Sequence, residues 1–309
     1  MMLNRFKGHA AMFGANSMWG LMAPIAKMVM AGGIVSPLLM TNFRIYGAAL
    51  LFWTASLFRP YEKVPPRDLM LLAGAGLLAI VFNQGCYIFG VGFTSPGDAS
   101  IIATTMPLWV MVLAAVILGE PITAKKVGGI ALGASGALLL VLGGTHSGIK
   151  GDNPTLGNIL VLTAQICYAL YLTFYRNFIR KYSVFTLMKW MFTFAAIAVT
   201  PFSVSGIIDT AWADLTPRDI WGVAYVVFFA TFVAYVFTMI GQKNLRPTLV
   251  GMYNYVQPVV ATIAGICMGF DRVTPAKGIA VVMIFTGVYL VNASKSARHP
   301  QATPIDTTK

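Results

Sequence analysis

The side chains able to do chemistry in this chain are few and of one kind. Its ten carboxylates, Glu62, Asp68, Asp98, Glu120, Asp152, Asp209, Asp214, Asp219, Asp271 and Asp306, fall between long apolar stretches, at their ends or in the C-terminal tail. His9, His146 and His299 stand far apart in loops or termini, and neither HExxH nor GxSxG occurs. An enzyme would need paired acids, a metal cluster or a nucleophile beside a base. No catalytic residue, no metal site and no cofactor is therefore expected. Cys86, Cys167 and Cys267 each sit inside a different apolar stretch without a CxxC partner, and read as small apolar residues.

What the apolar stretches do hold is amides, hydroxyls and aromatic rings at helical spacing. Asn16 and Trp19 share one face, as do Asn83 and Tyr87, Thr105 and Trp109, and Gln165 and Tyr168; Thr231, Tyr235 and Thr238 form another, and Tyr253, Asn254 and Gln257 a last one. Together they fit a neutral or zwitterionic, partly apolar solute held by amide hydrogen bonds and aromatic faces. Each also has a plainer role available, as an interhelical bond of about 0.6–2 kcal/mol or an interfacial anchor. Arg44 lies seven residues into its stretch, roughly 10 Å at 1.5 Å per residue, where it could attract a substrate carboxylate or pair with a carbonyl. Lys27 and Lys189 are close enough to stretch ends to snorkel. Pro24, Pro107 and Pro258 would release backbone groups and permit kinks or gating bends. No carboxylate falls in mid-stretch, which argues against proton antiport through a buried acid.

These residues are carried by an unusually apolar chain. Of 309 residues 57% are hydrophobic and 10% charged, against roughly 25% charged in soluble domains. Ten apolar stretches are long enough to cross a bilayer, at about 10–31, 37–58, 69–92, 97–118, 127–144, 157–178, 184–206, 219–241, 247–269 and 276–293. The net charge of +12 belongs to the connecting segments rather than to a nucleic-acid surface. With both termini cytoplasmic, fifteen Lys and Arg fall inside and four outside, the asymmetry that orients membrane proteins. An odd number of spans would separate the termini and break it.

The chain also resembles itself. A shift of 151 places Gly90 on Gly241, Pro96 on Pro247, Pro107 on Pro258, Thr123 on Thr274, Lys126 on Lys277, Gly136 on Gly287 and Glu120 on Asp271. Upstream, a shift of 149 brings Asn16 and Trp19 onto Gln165 and Tyr168, and Lys27 onto Arg176. Five spans per half is an odd number, so the second half enters the membrane upside down. Inverted repeats place a site near the bilayer midplane on their pseudo-two-fold axis.

Two segments carry a family resemblance: Ser95-Pro96-Gly97-Asp98-Ala99-Ser100 through Pro107 to Gly119-Glu120-Pro121-Ile122-Thr123, and Arg246-Pro247-Thr248 through Gln257-Pro258 to Gly269-Phe270-Asp271. Over residues 10–293 the chain resembles the drug/metabolite transporter superfamily, in its ten-helix EamA-type branch. The resemblance implies an all-α integral membrane protein of ten transmembrane helices in two inverted five-helix repeats, and a cavity lined by helices 1, 3, 4, 6, 8 and 9. The repeats are expected over 1–145 and 156–293, with 294–309 a disordered cytoplasmic tail. Expected function is secondary transport, as export of small metabolites such as amino acids, by a monomer or weak homodimer in the cell membrane. Its partners would be the solute and the lipid bilayer, without nucleic acid. The alternatives are nucleotide-sugar or sugar-phosphate exchange, which would want several cations converging where only Arg44 is found, and, in a different class, a membrane-embedded enzyme or scaffold.

Overall fold

The computed structural model describes residues 2–30, 32–93, 102–142, 153–208, 210, 212–267 and 274–294, which form ten apolar helices joined by short turns, with no strand among the described residues. In the first half α1 is Met2–Met30 and α2 is Pro37–Leu57. Helix α3, residues 66–93, consists of Pro66–Gly76, a π-helical turn Leu77–Phe82, and Asn83–Phe93. Helices α4, Met106–Leu118, and α5, Ala124–Leu142, complete that half. In the second half α6 is Pro154–Phe174 and α7 is Val184–Ile208. Helix α8 comprises Pro217–Val227, a π-helical turn Phe228–Val233, and Ala234–Asn244. Helix α9, residues 247–267, comprises Pro247–Met252, a 3-10 turn Tyr253–Tyr255, and Val256–Cys267, and α10 is Pro275–Asn292.

The sequence marks most of these boundaries. Proline opens α2, α3, α6, α8, α9 and α10, where its missing N–H costs nothing. Ser36, Asn153, Thr216 and Thr274 cap their helices by accepting a backbone N–H. Gly119 ends α4 in a left-handed conformation, φ +62°. The largest departure is α1, which starts at Met2 rather than near residue 10. Its extra turns are tied to the second half: Arg5 Nη2 donates to Asn292 Oδ1 at 3.2 Å, and His9 Nδ1 is hydrogen-bonded to Tyr253 Oη at 2.8 Å. His9 is thus helical, not part of a loop or terminus.

Five helical stretches are each long and apolar enough to cross a membrane by length and composition, namely Pro66–Tyr87, Thr155–Phe174, Val184–Val204, Pro217–Asn244 and Pro275–Asn292. The repeat is visible in backbone geometry. The two π-helical turns, 77–82 and 228–233, are offset by the same 151 residues. Two breaks overlap under the same shift: the chain turns at 104–105 before α4 resumes, and at 253–255 within α9, with 104 falling on 255. Pro107 and Pro258 therefore do not kink continuous helices; each lies in the first turn of a segment that restarts after a break. The side chains of Pro24 and Lys27, the residues 94–101 that begin the expected fourth span, and the tail from 295 lie outside the described residues.

Antiparallel α5 and α10 pack along their glycine faces. A Cβ on Gly129 would lie 2.7 Å from the Gly287 carbonyl oxygen, and one on Gly136 would lie 2.7 Å from that of Ala280. Under the shift of 151, Gly129 maps to Ala280 and Gly136 to Gly287, so each contact is the image of the other. That is an isologous interface across a two-fold axis. A methyl on Gly287 would sit 2.5 Å from the Gly129 oxygen and 2.8 Å from the Gly133 nitrogen, both backbone atoms. Gly287→Ala is expected to lower stability by about 1–3 kcal/mol through forced separation of the helices, read as a fall in unfolding temperature in detergent. Gly278→Ala, with nothing within 4 Å, should cause no fall.

Candidate functional site

The site begins with backbone groups released by the irregular turns. In the second π-helical turn the Ala234 N–H reaches back to the Phe229 carbonyl, five residues away, instead of to Ala230. The Ala230 oxygen is left to accept from Trp19 Nε1 at 2.8 Å. In the break before α4, the Leu108 N–H turns to the Thr105 oxygen, and the Thr104 oxygen accepts from Tyr255 Oη at 2.9 Å. A released carbonyl at membrane depth needs a partner, and in both cases the partner comes from the opposite half.

Around these bonds lie two adjoining polar groups. The first is a chain of amides: Asn16, fully buried, donates to the Met12 carbonyl and accepts from Gln257 Nε2 at 2.9 Å. Gln257 also donates to Asn254 Oδ1 at 3.3 Å, and Asn254 Nδ2 contacts Met106 Sδ at 3.3 Å, joining α1, α9 and α4. The second centres on Tyr235, whose hydroxyl accepts from Gln84 Nε2 at 2.6 Å and whose ring meets Trp19 edge-on at 5.8 Å between centroids. Arg44 donates through Nε to Thr231 Oγ1 at 3.1 Å, one turn before Tyr235. No carboxylate pairs with Arg44 among the described residues.

The structure distributes the other expected residues. Tyr253 bonds His9, as described, while Thr105 donates to the Ile102 carbonyl and accepts from Trp109. Asn83 spends its amide on the Ala164 carbonyl as an α3–α6 bond, Thr238 bonds its own helix at Ala234, and Tyr87 is 36% exposed. Gln165 is buried, and Tyr168 opens a ladder of rings with Tyr171 and Tyr175. Lys189 does not snorkel into solvent; its ammonium lies over the Trp53 ring, 4.8 Å from the centroid. Gln84 was missed because helical spacing favoured its neighbours Asn83 and Tyr87. The repeat held the signal, since 84 shifted by 151 is 235.

The end of the bundle that carries residues 59–66, 119–123 and 175–183 is latched by ion pairs between the halves. Buried Glu120 receives Lys126 Nζ at 2.8 Å, Arg176 Nη1 at 3.4 Å and Thr248 Oγ1 at 3.1 Å. Asp68 receives the Lys181 ammonium and the Tyr182 hydroxyl, and Lys243 donates to the Tyr182 carbonyl. The Asp68 bond raises the Lys181 pKa. A crevice between Leu172, Arg176, Ile179, Gln242, Pro247 and Val250 is too narrow there for a water molecule. The other end is built differently: Asp219, the repeat image of Asp68, caps its own helix with Thr216, and the image of Lys181 is Gly32.

Glu120→Gln would leave Lys126 buried without its counter-charge, at a cost of about 3–5 kcal/mol, and Glu120→Gln with Lys126→Met should recover most of it. Unfolding temperatures of the single and double variants check this. At Glu62 partial burial pushes the carboxyl up, but hydrogen bonds from Thr186 and Ser183 and the Lys243 charge hold it below the usual range. Its contribution is complete above the ordinary carboxylate pKa and is lost as pH falls through the lowered one. The acid limb of the unfolding-temperature profile should accordingly be shallower in Glu62→Gln.

The EamA-like transporter family model matches residues 6–142 and again 155–293. The chain is 26% identical over 230 residues to the transporter YyaM of Bacillus subtilis, 73% of each chain being covered. It is 26% identical over 260 residues to the inner membrane transporter YedA of Escherichia coli K12, covering 84% of this chain and 82% of that one. With a probable amino-acid metabolite efflux pump of the same organism identity is 27% over 285 residues, 88% and 90% covered. A crystal structure superposes with a TM-score of 0.77 over 93% of this chain and 98% of the other at 20% identity, a likeness of fold alone. With two inverted five-helix copies in one polytopic bundle and both copies matched, the chain belongs to the EamA-like transporter family.

Proposed function

We propose that the protein moves small zwitterionic metabolites, foremost amino acids, out of the cell by alternating access through the polar centre between its halves. The observation that carries this reading is the pairing of two chemistries there. Arg44, which has no carboxylate partner among the described residues, is suited to a solute carboxylate, and the Asn16–Gln257–Asn254 amides with the Trp19 and Tyr235 rings suit the rest of a small amphipathic solute. The name of one relative, a probable amino-acid metabolite efflux pump, supports the same class. The buried carboxylates among the described residues, Asp68, Glu120 and Asp219, stand at helix ends and serve ion pairs or caps. The reading therefore includes no carboxylate proton relay and no enzymatic step. It places the latched end, with both termini, in the cytoplasm of a cell-membrane protein, which leaves the outer end to open. Both halves of the site belong to one chain, so a monomer suffices.

Uptake of labelled amino acids into proteoliposomes, with and without a pH gradient, tests this. Flux is expected without a gradient, and Asn16→Ala or Gln257→Ala should reduce it about ten-fold, the scale of one or two lost hydrogen bonds. If no amino acid moves under any gradient, the reading fails. A strict gradient requirement would overturn its uncoupled form.

A further inference from the structure

Gln84 is 7% exposed, and its two amide ends have different fates. Nε2 donates to Tyr235 Oη, while Oε1 is buried with no hydrogen-bond partner among the described residues. Buried acceptors are nearly always satisfied, so an orphan calls for a partner that the protein itself does not supply. Its position is also special: Gln84 and Tyr235 are equivalent residues of the two repeats and touch each other, which places them against the pseudo-two-fold axis where inverted repeats hold their solute. Both follow directly on the π-helical turns, 77–82 and 228–233, the least regular backbone of α3 and α8.

On the same helix as Tyr235, four residues earlier, Thr231 accepts from Arg44 Nε, the single described bond of that guanidinium. An acceptor beside Tyr235 and a cation beside Thr231, neither neutralised nor paired further among the described residues, match a molecule with an ammonium group and a carboxylate. We propose that Gln84 is the specificity-determining residue that accepts a hydrogen bond from the solute's α-ammonium through Oε1, with Arg44 taking its carboxylate. This assignment rests on the transport of zwitterions proposed above. It makes the site select α-amino acids over the corresponding acids that lack the amine, because a carboxylic acid alone would leave Oε1 orphaned.

The test is uptake of labelled L-leucine, L-threonine and L-phenylalanine by proteoliposomes, each competed by the unlabelled amino acid and by its des-amino acid. Wild type should prefer the amino acid by at least about ten-fold, the effect of one hydrogen bond to a charged group. Gln84→Leu should narrow that preference to about two-fold or less, through KM for the amino acid, and Gln84→Glu should preserve or sharpen it. If Gln84→Leu slows transport of every solute equally and keeps the preference, Gln84 only packs and the assignment is overturned. Should Gln84→Leu fail to fold by its unfolding profile, the Glu variant decides: losing the preference for the amine-bearing solute overturns the assignment. If wild type moves none of the three amino acids, the transport reading falls and this one with it, an outcome distinct from amino-acid flux with unaltered selectivity.

Discussion

A carbonyl that leaves its helix inside a bilayer has no water to turn to. That constraint organises the middle of this protein. The π-helical turn of α8 releases the Ala230 oxygen and the break before α4 releases that of Thr104; Trp19 and Tyr255 reach across from the opposite half to satisfy them. The irregular backbone thus commits two aromatic side chains, and those fix how the halves face one another. Regular helices would have needed neither bond. The polar centre follows from the departures from regularity, since Thr231, which holds Arg44, lies within the π-helical turn and Tyr235, which holds Gln84, lies just after it.

Helix ends obey a different economy. Asp68, Glu120 and Glu62 are anchored by cations and N–H groups at one end of the bundle, where ion pairs are part-buried and short. Partners there come from both halves, so the pairs also act as cross-links: Glu120 joins Lys126 of its own half to Arg176 and Thr248 of the other. At the opposite end Asp219 is consumed by a local cap. Equal halves by descent have unequal ends by chemistry.

Much of this was legible in the residues. Ten apolar stretches and a 151-residue register were enough for the number of helices and their inversion, because hydrophobic length and proline or glycine punctuation act locally. The faces bearing Asn16, Trp19, Tyr235 and Gln257 do converge. What did not show was which polar residue of a face does what. Asn83 and Gln84 are adjacent and chemically alike, yet one bonds the Ala164 carbonyl and the other meets Tyr235, because successive helical residues point about 100° apart and the π-helical turn before them shifts which of the two faces the centre. The breaks beside Pro107 and Pro258 escaped notice too, since proline after a break and proline within a helix look the same in sequence. Nor did the latch stand out, its carboxylates being separated by tens of residues from the cations they meet.

The contacts on the axis and those away from it differ in what they can do to a conformational equilibrium. Gln84 with Tyr235 joins equivalent positions through their side chains, so a motion that exchanges the conformations of the two halves brings the same two side chains together again. A contact present with equal strength in both states cannot favour either. Asp68 with Lys181 is carried instead onto Asp219 and Gly32, and a glycine cannot supply the ammonium that Lys181 gives. The bias between the two states therefore resides in off-axis contacts at which the repeats have diverged, while the side-chain pair on the axis sets how firmly the molecule holds together in both.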